Sequence, residues 1–466
     1  MDASPALPTA DSDTTTPPRR RVLISCFAIA PNAGSEPGVA WNLCSRLAKY
    51  HDVTVLACTE LGEEHFRDEV ERYCQEQGAI GGLRFEFVDR PLLSRLLQQT
   101  HLTLTAPLYY LGYAAWQRAA FRAARRLHQE HPFDLTHQLT ITSFREPGYL
   151  WKLSTPFVWG PVVGAADVPW SYFSILTRRD QLFYGLRNLV NAWHKRTKLR
   201  SRRAALAARW IWVSGQDNRA LVTDRWGAAS HVMVETGTTS AVGAVRRYDG
   251  QRPLRLIWSG LHVGRKALPL LLRALTQCKS ANYELTVLGD GRQRSTWQAQ
   301  AKLLGIDARI TWTGHLPREQ ALQKMSDADV FVFTSVQEGA SSVVMEALSR
   351  GLPVVCHDAC GMALAVDDAC GIKVPLINPD QSVEGFARAL DRLMAEKGLV
   401  EQLSRGALER TGALSWDEKG KQIARVYDHV VKSSPPPIGK RRASGSSSSG
   451  PPLTSVAVSP VSTARS

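Results

Sequence analysis

Residues 335–351 read SVQEGASSVVMEALSRG, with two carboxylates, Glu338 and Glu346, eight positions apart. Everything between them is small, apolar or hydroxylic. The preceding run ADVFVFTS reads as a strand, so Glu338 falls in the loop beyond its carboxyl end. Ser341 or Ser342 suits the N-cap of a helix that continues through VVMEALSR. Helical side chains lean toward the N-terminus, so Glu346, about one turn in, looks back toward that loop. The first N–H groups of a helix lack internal partners and sit at the positive end of its dipole, which makes an anion site. Gly339, Ala340, Ser341 and Ser342 are small enough to let a phosphate approach the backbone. One carboxylate can then lie near each end of a ligand whose middle is a phosphate. The plainer alternative is a capped helix with two solvated glutamates.

Such a loop needs strands and helices to hold it. The chain has 466 residues, 44% hydrophobic and 21% charged, which is globular composition. That length suits two domains of about 150–200 residues each. RVLISC (21–26), DVTVLAC (52–58), LRFEFVD (83–89), FDLTHQL (133–139), TPFVWGP (155–161) and ARWIWVSG (208–215) read as strands with helices between several of them. The pattern then restarts with LRLIWSG (254–260), YELTVLGDG (283–291), ARITWTGHL (308–316), ADVFVFTS (328–335) and LPVVCHD (352–358). Strands alternating with helices predict an α/β protein with two doubly wound parallel sheets. Such sheets bind ligands in the cleft at the carboxyl ends of their strands. The expected organisation is a disordered tail over 1–20, a first Rossmann-like domain over 21–235 and a linker over 236–252. A second such domain then covers 253–415, a helix over 416–433 returns to the first, and 434–466 is a second disordered tail.

Glu-x7-Glu followed by ALSRGLPVV resembles the signature of the large retaining family four of GT-B glycosyltransferases, the glycosyl transferases group 1. The resemblance covers roughly 21–430 in organisation and is most specific over 255–375. It implies two Rossmann-like domains facing across a cleft. It implies that Glu346 holds the ribose hydroxyls of a nucleotide-diphosphate sugar, UDP- or GDP-linked, and that Glu338 lies beside the transferred sugar. The amides between them, at Gly339, Ala340, Ser341 and Ser342, would cradle the diphosphate. In SGLHVGRKAL, Lys266 falls six residues after Gly260, matching the family's lysine. The family's arginine position is Leu261 here, a departure for which Arg265 is the nearest substitute. Facing a diphosphate, Lys266 and Arg265 would stabilise charge growing on the leaving group. NAGSEPG resembles the family's glycine-rich loop, placing Gly34 and Ser35 near the diphosphate. It lacks the spacing of a nicotinamide site. His137, in FDLTHQL, matches a histidine beside the donor sugar, and Gly314, His315 and Leu316 match the loop beside the base. The family implies retention of configuration with neither cofactor nor metal. Cys356, His357, Cys360 and Cys370 approach zinc spacing, but the expectation is no metal.

The formal charge is +14, which calls for an anionic partner. Residues 178–209 hold ten Lys/Arg against one acid, with Leu182, Leu186, Leu189 and Trp193 near one helical face and Phe183 and Val190 beside it. This reads as docking to an anionic leaflet, or as a basic surface helix. Trp159 and Trp170, in WGPVVGAADVPW, are candidate sugar platforms, and 102–116 lines an acceptor groove or packs in the core. The expected enzyme is a hexosyltransferase acting on a lipid-linked or growing oligosaccharide in exopolysaccharide or cell-envelope glycan synthesis. With no membrane span or secretory signal visible, it is expected in the cytoplasm, peripheral to the inner face of the membrane. Two other classes compete: a non-catalytic nucleotide-sugar-binding protein, and a basic nucleic-acid- or membrane-binding protein. Paired acids in the cleft and the lack of a recognised module argue against nucleic acid.

Overall fold

In the computed structural model, residues 18–31, 33–62, 64–97, 106–339 and 342–434 are described. Seven strands make the first sheet: β1 (Arg21–Cys26), β2 (Asp52–Cys58), β3 (Leu83–Val88), β4 (Leu135–Thr140), β5 (Phe157–Val162), β6 (Trp210–Val213) and β7 (His231–Val232). All pairings are parallel, in the order β3-β2-β1-β4-β5-β6-β7. The second sheet holds β8 (Leu254–Ser259), β9 (Tyr283–Leu288), β10 (Ile310–Gly314), β11 (Val330–Phe333), β12 (Val354–His357) and β13 (Gly371–Val374). Its order is β10-β9-β8-β11-β12-β13, again wholly parallel. Helices cover both faces, which is why β1, β4, β5 and β11 are buried nearly end to end. Sequence periodicity missed β7 and β13. Two and four residues at a sheet edge leave no pattern to read. The expected tails fall largely outside the described residues.

Two crossings join the halves, and they lie side by side. After β7 the chain runs to β8 without regular structure, and Thr238 N donates to Leu414 O at 3.1 Å. On the return, Trp416 N donates to Thr238 O at 2.9 Å. Ser415 caps the helix Trp416–Ser433 by accepting from Glu418 N. That helix buries Trp416, Ile423, Ala424, Tyr427 and Val430 in the cluster that also contains Val22, Ile24, Leu43 and Leu47 of the first half. Lys49–Asp417 at 2.5 Å and Arg20–Asp428 at 3.4 Å tie its polar side.

Packing does not follow the chain order throughout. Val168, Tyr172, Leu176 and Tyr184 precede β6, yet they share one apolar cluster with β8, β9 and the helices Leu268–Gln277 and Pro379–Ala395. Tyr172 Oη bonds Ser382 Oγ at 2.6 Å, and Ser171 Oγ donates to Ile377 O at 2.8 Å. The helix Arg178–Thr197 follows, capped by Thr177, and its polarity is inverted. Asp180, Asn188 and Asn191 are buried, while Leu182, Leu186, Leu189 and Trp193 are 61–76% exposed. Asp180 accepts from Gln293 Nε2 at 2.6 Å and from Arg292, so this first-half helix is anchored to the second half.

Candidate active site

The loop after β8 closes in a single tight turn, Gly264–Lys266. A side chain at Gly264 would meet Asp180 Oδ2 at 2.7 Å and Leu176 Cδ2 at 2.8 Å, so only glycine lets the turn approach the start of the helix Arg178–Thr197 this closely. The carbonyls of the turn are fastened to the segment after β11. Val336 N donates to Arg265 O at 2.9 Å, and Thr334 Oγ1 donates to Lys266 O at 3.0 Å. This brings the ends of two neighbouring strands together, far apart in sequence.

Their side chains converge on Glu338. Its Oε1 receives Lys266 Nζ at 2.5 Å, Arg265 Nη1 at 2.7 Å and Ser335 Oγ at 2.7 Å. Arg265 Nη1 also donates to Gln337 O at 2.8 Å, and Lys266 Nζ lies 4.7 Å from the Phe333 ring centre. Burial alone would raise the Glu338 pKa, but the charges of Lys266 and Arg265 hold it below the ordinary glutamate value. Burial pulls the Lys266 ammonium down, against the opposing pull of Glu338. The carboxylate is therefore ionised and shared by two cations, so the trio carries a net positive charge.

Glu346 sits in the helix Ser342–Ser349, half-buried, with Oε1 accepting from Arg318 Nη2 at 2.9 Å. Gly314 ends β10 in the left-handed region (φ +74°), with Arg294 Nη1 3.0 Å from where a side chain would begin. His315 is exposed, and Leu316 packs in the cluster containing Val344 and Met345, the residues before Glu346. Gly339 passes beside Glu235, whose Oε1 is 2.8 Å from the position of a Cβ. Ser342 is exposed at the start of its helix, whereas Ala340 and Ser341 lie outside the described residues.

Other expected residues stand elsewhere. His137 is the clearest correction, for it does not face the cleft. It is fully buried within β4, with Nδ1 bonded to Tyr427 Oη at 2.6 Å and Nε2 to Gly160 O at 2.7 Å. Burial lowers its pKa to about 4, so it is a neutral core histidine. Trp159 is likewise no sugar platform; it is buried in β5 and stacked on Trp226. Trp170 is exposed against Phe173. Gly34 is exposed ahead of the helix Ser35–Leu47, whose first turn uses Glu36 to accept from Thr142 N at 2.8 Å. His357 spends both ring nitrogens on Ser335 O and Ser382 Oγ. Among the described residues no group of three or more His, Cys, Asp and Glu could hold a metal ion.

Sequence reasoning missed Ser335, Gln337, Arg318, Asp180 and Arg187. Gln337, Arg318, Asp180 and Arg187 act through partners distant in sequence, Ser335 is one more hydroxyl in the loop before Glu338, and Arg187 is one of the ten cations of a stretch expected to face outward.

Residues 253–396, which carry Lys266, Glu338 and Glu346, match the family of glycosyl transferases group 1. This half is a glycosyl transferases group 1 domain. The lipopolysaccharide 1,6-galactosyltransferase of Escherichia coli K12 is 38% identical to the chain over 144 residues, covering 30% of this chain and 38% of that one. The chain spans 28–56% of the length of the curated relatives it matches. Two solved structures extend the likeness to the first half. The apo lipopolysaccharide outer core galactosyltransferase WaaB superposes with a TM-score of 0.60 at 13% identity, covering 88% of this chain and 99% of that one. Anabaena HepE in complex with UDP-glucose gives 0.51 at 15% identity, covering 88% and 100%. The two sheets thus form a GT-B fold, with the group 1 domain as its second half.

Proposed function

We propose that the protein is a retaining, metal-independent glycosyltransferase. It moves a hexose from a UDP- or GDP-sugar to a lipid-linked or growing oligosaccharide during cell-envelope glycan or exopolysaccharide synthesis. The observation that carries this reading is the net-positive trio of Lys266, Arg265 and Glu338 at the strand ends, one loop away from a helix N-terminus and Glu346. A diphosphate placed there meets both cations, and Glu346 is positioned for hydroxyls at the nucleoside end. Names of relatives support the substrate class: one acts on lipopolysaccharide, and a structural neighbour was captured with UDP-glucose.

In the proposed step the bond between the sugar's anomeric carbon and the diphosphate oxygen breaks, and the electron pair stays on that oxygen. Lys266 and Arg265 stabilise the charge that grows there. The acceptor hydroxyl bonds to the same face of the anomeric carbon and passes its proton to the departing phosphate oxygen. Closure of the two halves would keep water from competing. The inverted helix Arg178–Thr197 supports docking on an anionic leaflet, since its apolar row faces solvent among cations. Among the described residues no helix is long and apolar enough to cross a membrane.

The test is a thermal-shift panel of the full chain with UDP, GDP and their common sugar conjugates, wild type beside Glu346→Ala. A ligand at a hundredfold excess over its Kd adds about 2.7 kcal/mol of apparent stability. One nucleotide class should stabilise the wild type and lose its effect in the variant. A folded wild type indifferent to every nucleotide would refute the donor site.

A further inference from the structure

Arg187 lies on the inward side of the helix Arg178–Thr197 and reaches the loop that carries Glu338. Its Nη1 donates to Gln337 Oε1 at 2.5 Å, and Gln337 is held in place by donating its Nε2 to Ala166 O at 2.6 Å. On its other side Gln337 offers its backbone oxygen to Arg265 Nη1 at 2.8 Å. Two guanidinium groups, one from each half of the chain, therefore meet at a single glutamine. Burial lowers the proton affinity of Arg187, and the charge of Arg265 lowers it further.

Asp167, whose charge reaches Arg187, is already paired with Lys195. Glu338 is shared by Arg265, Lys266 and Ser335, and Glu146 pairs with Lys198 and Arg200. Among the described residues no carboxylate lies within ion-pair distance of Arg187. A guanidinium has five N–H donors, of which Gln337 takes one. A half-buried cation held against a like charge is unfavourable until an anion joins the pair. Meanwhile the position expected to carry an arginine, after Gly260, holds Leu261, which is exposed and has no charge to offer.

We infer that Arg187 binds the diphosphate of the donor, supplied by the first half of the chain in place of the arginine absent at Leu261. The assignment rests on the nucleotide-sugar reading above. It makes the donor site composite: Lys266 and Arg265 come from the second half, Arg187 from the helix Arg178–Thr197 of the first. Asp180, on the same helix as Arg187 and locked to Arg292 and Gln293 of the second half, sets the position of that helix.

Isothermal titration of the full chain with UDP, GDP and the two free nucleosides tests this. Wild type is expected to bind one diphosphate. Arg187→Gln should bind that diphosphate about tenfold or more weakly, the loss of one charge-assisted hydrogen bond, with nucleoside affinity unchanged. Adding Leu261→Arg to Arg187→Gln should recover affinity. The thermal midpoint of each free variant reports folding, and Arg187→Lys, which keeps the charge but not the fork, should fall between wild type and Arg187→Gln. A folded Arg187→Gln that binds diphosphate like wild type, or that loses nucleoside and diphosphate equally, overturns the assignment. A double variant that stays as weak as Arg187→Gln overturns the exchange of one arginine for the other. If wild type binds neither UDP nor GDP, the donor reading itself fails.

Discussion

Lys266→Ala probes the centre of the site. The substitution removes the ammonium 2.5 Å from Glu338 Oε1 and leaves that oxygen with Arg265 Nη1 and Ser335 Oγ, each at 2.7 Å. Breaking a buried pair outright costs about 3–5 kcal/mol. Here Arg265 still neutralises the carboxylate and the desolvated lysine is relieved, so about 1–3 kcal/mol is expected, comparable to an unsatisfied buried group. The pH dependence identifies the cause. The Glu338 pKa is depressed in the folded protein, so its stabilising contribution is present above the ordinary glutamate value and is lost as pH falls through the lower, folded one. Without Lys266 the folded pKa rises, so the acid-side loss of stability should become smaller and be complete at higher pH, while its onset stays at the ordinary glutamate value. Thermal midpoints of wild type and Lys266→Ala between about pH 3 and 7 measure this. On the chemical side, donor cleavage monitored by nucleoside diphosphate release should fall by about 10²–10³ in kcat, as when one transition-state donor is lost. A variant with unchanged midpoint, unchanged acid profile and unchanged turnover would refute both the coupling of Lys266 to Glu338 and its place at the leaving group.

His137→Gln should lower stability by about 1–3 kcal/mol, because two buried partners, Tyr427 Oη and Gly160 O, lose their bonds; KM for the donor should not move. His137 has a folded pKa of about 4, below its ordinary value, so it stabilises the fold above that ordinary value and the benefit is lost as pH falls toward 4. The variant should lack that part of the wild-type decline in thermal midpoint. Leu186→Asp, on the solvent-facing row of the Arg178–Thr197 helix, should reduce co-sedimentation with vesicles containing anionic phospholipid while nucleotide affinity stays the same. Equal vesicle binding by wild type and variant would remove that helix from any membrane role.

The alternation of strand and helix, the restart near residue 254 and the loop of Glu338 and Glu346 were all legible in the chain itself. Those features depend on local pattern: apolar runs of strand length, small residues before a helix, and charges at fixed spacing. Lys266 could be picked out because its distance from Gly260 matches the lysine of the family the loop resembles. What could not be read was which residues from one half would reach the other. His137 matched a family position in sequence, yet burial against Tyr427 and Gly160 makes it a core residue. The stretch 178–209 showed its cations and its apolar row, but not that Asp180 and Arg187 would turn inward to Arg292, Gln293 and Gln337. Helical spacing says which residues share a face; only packing decides which face is covered. Here the polar face is buried: Asn188 and Asn191 bond Val168, Ala165 and Asp167 nearby, while Asp180 and Arg187 meet charged and amide groups brought from more than a hundred residues away by the second half.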